Sequence, residues 1–202
     1  MIDFHTNSII GFHSCDKQVG LRVLNGEDKL NPSTNNWDWL GWGVYFWEQD
    51  PLRALEYATE CANQKQFNRV RIRTPFVIGA LIDLKNCLNL VESSSLKVLG
   101  PAYRACREKT EEKGKNMPVN NGNNRALDCY VIESIHEFNL TRKEQPYDTV
   151  RCAFPEGEAV YPNSFITSRL HIQVCVRNID CIKGFFLPQP VYKFNPYLQM
   201  RA

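Results

Sequence analysis

Four short stretches of this chain carry side chains able to do chemistry. Gly11-Phe12-His13-Ser14-Cys15 puts an imidazole just ahead of a helix, and Gly43-Val44-Tyr45-Phe46 puts a phenol after a glycine turn. Ala54-Leu55-Glu56-Tyr57-Ala58 brings a second phenol one helix later, and Pro155-Glu156-Gly157-Glu158-Ala159-Val160-Tyr161 supplies two carboxylates near a strand. An imidazole can bond hydroxyls, an aromatic face can hold a flat ring, and a carboxylate can balance developing positive charge. Taken singly, each has an ordinary reading. His13 is a half-buried strand-end histidine, Tyr45 a core aromatic of the kind strands favour, and the Glu pair a solvated turn. Their order along the chain is what suggests a site.

Other chemistries have less support. The eight cysteines, at 15, 61, 87, 106, 129, 152, 175 and 181, form no C-x-x-C pair and no C…H-x-x-x-H arrangement. A closed zinc site needs such local spacing, so they are expected to be reduced, mostly buried thiols of a cytosolic protein, with no metal site. His171, Gln173 and Cys175 share one face of an alternating stretch, where a metal would need more ligands; a core or cleft hydrogen-bonding role is expected. Gly41-Trp42-Gly43 lacks the third glycine and following helix of a dinucleotide fingerprint. The net charge of +2 neither proves nor opposes a nucleic-acid partner. No apolar run is long enough to span a bilayer, and Met1 to His5 does not read as a secretory signal, so a cytoplasmic location is expected.

The elements that must position these residues can be read in turn. Hydrophobic content is 43%, enough for a real core in a single domain of residues 1–202. Ser8 to His13 reads as a strand, and Asp16 caps a helix over 17–25 that Gly26 ends. All four tryptophans lie between Trp37 and Trp47, and Trp39 and Trp47 are expected to glue layers together. Asp50-Pro51 starts a helix, because Asp caps it and Pro lacks only an N–H that would be unpaired there. Arg69 to Arg73 alternates as a strand with one basic face, a solvated stripe or a phosphate contact. Phe76 to Leu84 follows as a strand. Residues of about 86–148 read as a helical insertion, with helices over Ser95–Glu108 and Arg125–Phe138. Between them, 109–124 is too polar to pack a core and reads as a surface loop or lid. Short strands return at Val150–Phe154, Ala159–Tyr161, Leu170–Val176 and Ile182–Phe186. The pattern is α+β, with two small sheets packed together.

The motif order resembles the diphtheria-toxin-like ADP-ribosyltransferases of the His-Tyr-Glu type, which include the catalytic domains of the poly(ADP-ribose) polymerases. The match runs through His13-Ser14, Val23-Leu24-Asn25-Gly26, Gly41-Trp42-Gly43-Val44-Tyr45-Phe46 and Ala54 to Tyr57. It covers residues 9–60 well and 150–186 loosely. The resemblance implies a split β-sandwich with flanking helices, and NAD, as substrate, bound in a cleft between two sheets. It makes His13 the holder of the ribose hydroxyls, Tyr45 the wall against nicotinamide, and Tyr57 a second wall. Ser14 stands where the family often has a glycine whose backbone holds the nicotinamide amide. Glu158, with Glu156 ranked behind it, would face the ribose, as in the E-x-E pairs of some transferases. The implied protein is a stand-alone toxin or defence effector with an antitoxin partner. Its acceptor would be RNA, DNA or protein, with nucleic acid slightly favoured on the basic strand. The alternatives are a catalytically degenerate binding module and an NAD glycohydrolase.

Overall fold

The computed structural model describes residues 7–63 and 72–198. Strand β1 (Ser8–Asp16) runs three residues beyond His13 and ends where the Asp16 carboxylate accepts the Gln18 N–H at 3.0 Å, capping α1 (Lys17–Leu24). After a long turn come β2 (Val44–Glu48) and α2 (Pro51–Asn63), whose first turn is closed by the Arg53 N–H on Asp50 at 2.9 Å. Strand β3 (Pro75–Asp83) follows, then β4 (Cys87–Asn89), α3 (Ser93–Leu96) and α4 (Leu99–Glu112). A small hairpin, β5 (Asn120–Asn121) and β6 (Asn124–Arg125), leads into α5 (Ala126–Thr141). The chain ends through β7 (Thr149–Ala159), β8 (Thr167–Val176), β9 (Ile182–Phe186) and the short α6 (Val191–Phe194).

The fold is α+β. Seven strands form one mixed sheet in the order β4-β7-β8-β2-β1-β3-β9, and β5 and β6 form a separate pair. In place of the expected two small packed sheets there is one continuous seven-stranded sheet, narrowest at the β1–β2 join. Strands β1 and β2 share only the pairs Gly11↔Glu48 and Phe12↔Trp47, whereas β1 and β3 are paired along nine residues from Ser8↔Asp83 to Asp16↔Pro75.

Alternation assigns the two faces. One carries Cys15, Val44, Phe46, Phe76, Ile78, Ala80, Ile82, Val174 and Val176, all buried, and α1 covers it with Val19, Val23 and Leu24. The other face is covered in two places. Helix α2 sets Ala54 and Leu55 over Phe12, Trp47 and Val77, while α4 and α5 set Ala102, Val131, Ile132 and Ile135 over Val150 and Cys175. Residues 86–148 are therefore the roof over half of the sheet as well as an insertion. Their polar stretch also has a structural task, since Asn120 accepts the Leu127 and Asp128 N–H groups at 3.0 and 3.3 Å and so caps α5.

Three sequence expectations are corrected. Val150–Phe154 and Ala159–Tyr161 are not separate strands; β7 runs unbroken through Pro155, which pairs with Leu170. Beyond Arg151 the β7 edge facing away from β8 has no strand neighbour among the described residues, so the missing proline N–H costs no ladder bond there. The 125–138 helix holds, but α4 starts four residues later than Ser95, at Leu99. Of the basic stripe, Arg69 and Arg71 lie outside the described residues, while Arg73 sits in a bend and donates its backbone N–H to Asp16 at 2.8 Å. Five of the eight cysteines are buried, and among the described residues no disulfide joins any pair of them.

Asn195 completes the sheet where β9 stops short. Its fully buried amide accepts the Val77 N–H at 2.7 Å and donates to the Val77 carbonyl at 2.9 Å. Asn195→Ala leaves both buried groups without partners and is expected to lower unfolding free energy by about 2–5 kcal/mol, read by urea denaturation. His136 of α5 is buried with no hydrogen bond at either ring nitrogen, and burial pushes its pKa down to about 3. The unfolded imidazole takes its proton near pH 6.5, so unfolding takes up a proton between those values and stability falls as pH drops through the window. Wild type should lose about 1.4 kcal/mol per pH unit at this site from roughly pH 6 to 4, and His136→Leu should remove that slope.

Candidate functional site

The expected site residues do not converge on one point. His13 opposes Phe46 across the join, and its ring lies 5.6 Å from the Phe46 ring, on the α1 side of the sheet. Its Nδ1–H donates to the Tyr45 backbone oxygen at 2.8 Å, bridging the two strands just where their ladder ends. Burial lowers its pKa, only partly opposed by that carbonyl, so the ring is neutral and Nε2 keeps a lone pair.

Tyr45 leaves the sheet on the other face, packed among Leu40, Cys175 and the α5 residues. Its hydroxyl is fully used: it accepts the Leu40 N–H at 2.8 Å and donates to the Gly41 carbonyl at 2.6 Å. Burial, with smaller contributions from Cys175 and Asp38, holds the phenol well above its ordinary pKa. The glycine ahead of it is demanded by space, since a Cβ on Gly43 would lie 2.6 Å from both Cys175 Sγ and the Val176 carbonyl oxygen. Tyr45 is therefore a post that fixes the Trp39–Gly41 turn. Ser14 points under α2 and donates its hydroxyl to the Ala54 carbonyl. Tyr57 of α2 is 37% exposed, with its ring 5.0 Å from that of the buried Trp47.

The two carboxylates differ sharply. Gly157 has φ +81°, and the β7–β8 register shifts between Glu156 and Ala159, so the period-two argument that put both on one face fails at a bulge. Glu158 is exposed. Glu156 turns onto the sheet face, its side chain 21% exposed, and accepts from Arg53 Nη2 at 2.9 Å. Its Oε2 also lies 3.7 Å from Nδ1 of His171.

His171 was foreseen only as part of a shared face with Gln173, in a hydrogen-bonding role, and it has one. Nδ1–H donates to the Arg169 carbonyl at 2.7 Å, and Nε2 accepts from the Gln173 amide at 3.0 Å, which fixes the neutral tautomer. Burial lowers its pKa, with Arg169 and Glu156 opposing. Gln173 pairs with Trp47 on one side and Cys152 on the other, and His171 pairs with Phe154. The Phe154 ring lies 4.6 Å from that of Trp39, above which Arg125 stacks at 5.2 Å.

These residues define a groove on the helix-bearing face, between α2 and the Trp39–Gly41 turn. Its floor is Trp47, Gln173, His171, Phe154 and Glu156, and Arg53 reaches over it from α2. Beyond the end of β2 lies a depression of about 430 Å³ that shares only His171 with this floor; Gln49, Asp50 and Leu170 line it with Glu48, Ala153 and Ile172, whose positions alternate to the other face. Sequence reasoning missed Arg53 altogether, because an arginine in an amphipathic helix ordinarily points to water. Its place one turn after the Asp50-Pro51 start, on the side of buried Ala54, was the available signal. Among the described residues no cluster of three or more His, Cys, Asp or Glu side chains could hold a metal, and no helix is long and apolar enough to cross a membrane.

No family model, curated protein or solved structure matches this chain.

If Tyr45 is a structural post, Tyr45→Phe strands the Leu40 N–H and the Gly41 carbonyl. It should cost about 1–3 kcal/mol of stability and speed hydrogen exchange of the Leu40 amide. A phenol serving only a ligand would leave both unchanged.

Proposed function

We propose that the chain is an NAD-dependent ADP-ribosyltransferase in which Glu156, and not Glu158, faces the ribose. The observation that carries this reading is the state of Glu156: a largely buried carboxylate on the groove floor, held at 2.9 Å by Arg53 beside a neutral His171. Breaking the nicotinamide–ribose C–N bond sends its electron pair to nicotinamide and leaves positive charge on the ribose, as in glycoside cleavage. A fixed carboxylate in a site shielded from water stabilises that charge without having to reorganise. The acceptor's nucleophile then bonds the anomeric carbon, and its proton passes to water. NAD carries two flat rings, and the groove has an aromatic pair at each end, Trp47–Tyr57 and Trp39–Phe154. The narrow join between β1 and β2, with His13 across it, suits a split sheet of the transferase type.

The charges around the groove bear on the acceptor. Asp50, Glu56, Glu60, Glu156 and Glu158 outnumber Arg53, Arg125 and Arg169 there. Excess negative charge repels a phosphate backbone, which shifts the preferred acceptor from nucleic acid to a protein side chain. The setting proposed remains that of a toxin-like effector.

A second reading is a nucleotide-binding module without catalysis. It is favoured by the full use of the Tyr45 hydroxyl within the protein. Nicotinamide release from NAD by purified protein separates the two. Wild type should turn NAD over, Glu156→Gln should be slower by about 100-fold or more, and Glu158→Gln should change little. No release by wild type leaves the binding module. Release that survives Glu156→Gln removes Glu156 from the chemistry. Release without label on protein, RNA or DNA pools makes the protein an NAD glycohydrolase.

A further inference from the structure

Three arginine–glutamate pairs are drawn into the body of this protein, and one of them is built differently. Arg151 grips Glu48 with two bonds, Nε to Oε2 at 2.5 Å and Nη2 to Oε1 at 2.9 Å, and spends Nη1 on Asn89. Arg177 likewise meets both oxygens of Glu133 and spends Nη1 on the Trp42 carbonyl as well. These are closed clamps, as the planar fork of a guanidinium allows. Arg53 is more buried than either, its side chain 7% exposed, yet it makes a single bond, Nη2 to Glu156. Among the described residues its buried Nε and Nη1 have no hydrogen-bond partner, and Glu56 Oε2 is 3.8 Å from Nη1. Trp47, in the same layer between α2 and the sheet, also has a buried indole N–H with no partner.

Unused donors of this kind select a ligand that only accepts hydrogen bonds. We propose that Arg53 receives a phosphate-type anion, the diphosphate of a nucleotide, and that this frees the Glu156 carboxylate for the sugar. The location rests on the groove reading above and deepens it by naming the group that Arg53 holds. A phosphate offers several oxygens to the two unused nitrogens and competes with Glu156 for the third. His171 lines the open depression and stands 3.7 Å from the Glu156 oxygen that Arg53 holds. A residue serving only to clamp α2 to β7 would close on both carboxylate oxygens, as Arg151 and Arg177 do on theirs.

The test is calorimetric binding of ADP, pyrophosphate and adenosine to the full chain. Wild type should bind ADP about tenfold or more tightly than adenosine, the difference being charge-assisted bonds to phosphate. Arg53→Met, which keeps the apolar stem, should erase that preference while leaving adenosine affinity unchanged, and Arg53→Lys should restore part of it. Glu156→Gln should tighten ADP binding several-fold by removing the competitor. If Arg53→Met does not fold because Glu156 is left buried and alone, the double variant Arg53→Met with Glu156→Gln carries the same comparison. Equal affinity of wild type for ADP and adenosine, or a preference that persists in Arg53→Met, overturns the proposal. An Arg53-dependent ADP preference without nicotinamide release keeps the anion site and removes the transferase. Nicotinamide release with no such preference does the reverse.

Discussion

The sheet is held across its middle by two residue pairs, and the first of them needs a glycine. A Cβ on Gly11 would lie 2.8 Å from both Phe46 Cβ and Ile82 Cδ1, two core residues from the strands on either side. Only a residue without a side chain lets β1 sit between β2 and β3 while Phe46 and Ile82 close over it. One residue after Phe12, the ladder to β2 ends and the His13 ring takes over, bonding the Tyr45 carbonyl in place of a backbone N–H. The β1-β3-β9 half and the β2-β8-β7-β4 half are thus joined firmly but narrowly. Helix α2 packs on the first half and on Trp47 of the second, and Arg53 extends that bridge to β7.

Buried charge carries the rest of the long-range order. The pairs Glu48–Arg151, Glu133–Arg177 and Arg53–Glu156 join β2 to β7, α5 to β8 and α2 to β7, elements far apart in sequence. Such pairs add little net stability over apolar packing of the same shape, but losing one partner leaves an uncompensated charge and is strongly destabilising. They therefore specify which elements meet. In the first two the arginine meets both carboxylate oxygens and a further acceptor; in the third it makes a single bond. That asymmetry separates a structural contact from a poised one, and it falls in the groove that also holds the neutral His171 and the aromatic floor.

Much of the local structure was legible in the sequence because its causes are local. The Asp16 cap, the Asp50-Pro51 helix start and the strands around Phe76 and Ile182 follow from the residues at those places. So does the shared face of His171 and Gln173. What escaped depends on partners. Pro155 reads as a break unless one knows that β7 has a free edge there. Glu156 and Glu158 read as equivalent unless Gly157 is known to form a bulge. Tyr45 reads as a cofactor wall because nothing in its neighbours announces that Leu40 and Gly41 will occupy its hydroxyl. Arg53 reads as solvated because its burial is caused by Glu156, 103 positions away. The candidate site was thus half visible: the carboxylate and the imidazole–amide pair lay in the strands as read, but the cation that organises them did not.

The polarity of the groove follows from how far the helices reach. Along β8, Val174 and Val176 face the α1 side and are fully buried. Cys175, on the opposite face, is buried under α5, but His171 and Gln173, four and two residues earlier, lie outside that helical cluster. An apolar face there would remain exposed, so the strip can carry polar residues without weakening either core. Their hydrogen bonds to one another and to Arg169 hold them in place. A gap between two covered regions of one sheet therefore combines what a reactive site needs: rigid strands beneath, partial exclusion of water at the sides, and polar groups whose positions are already fixed.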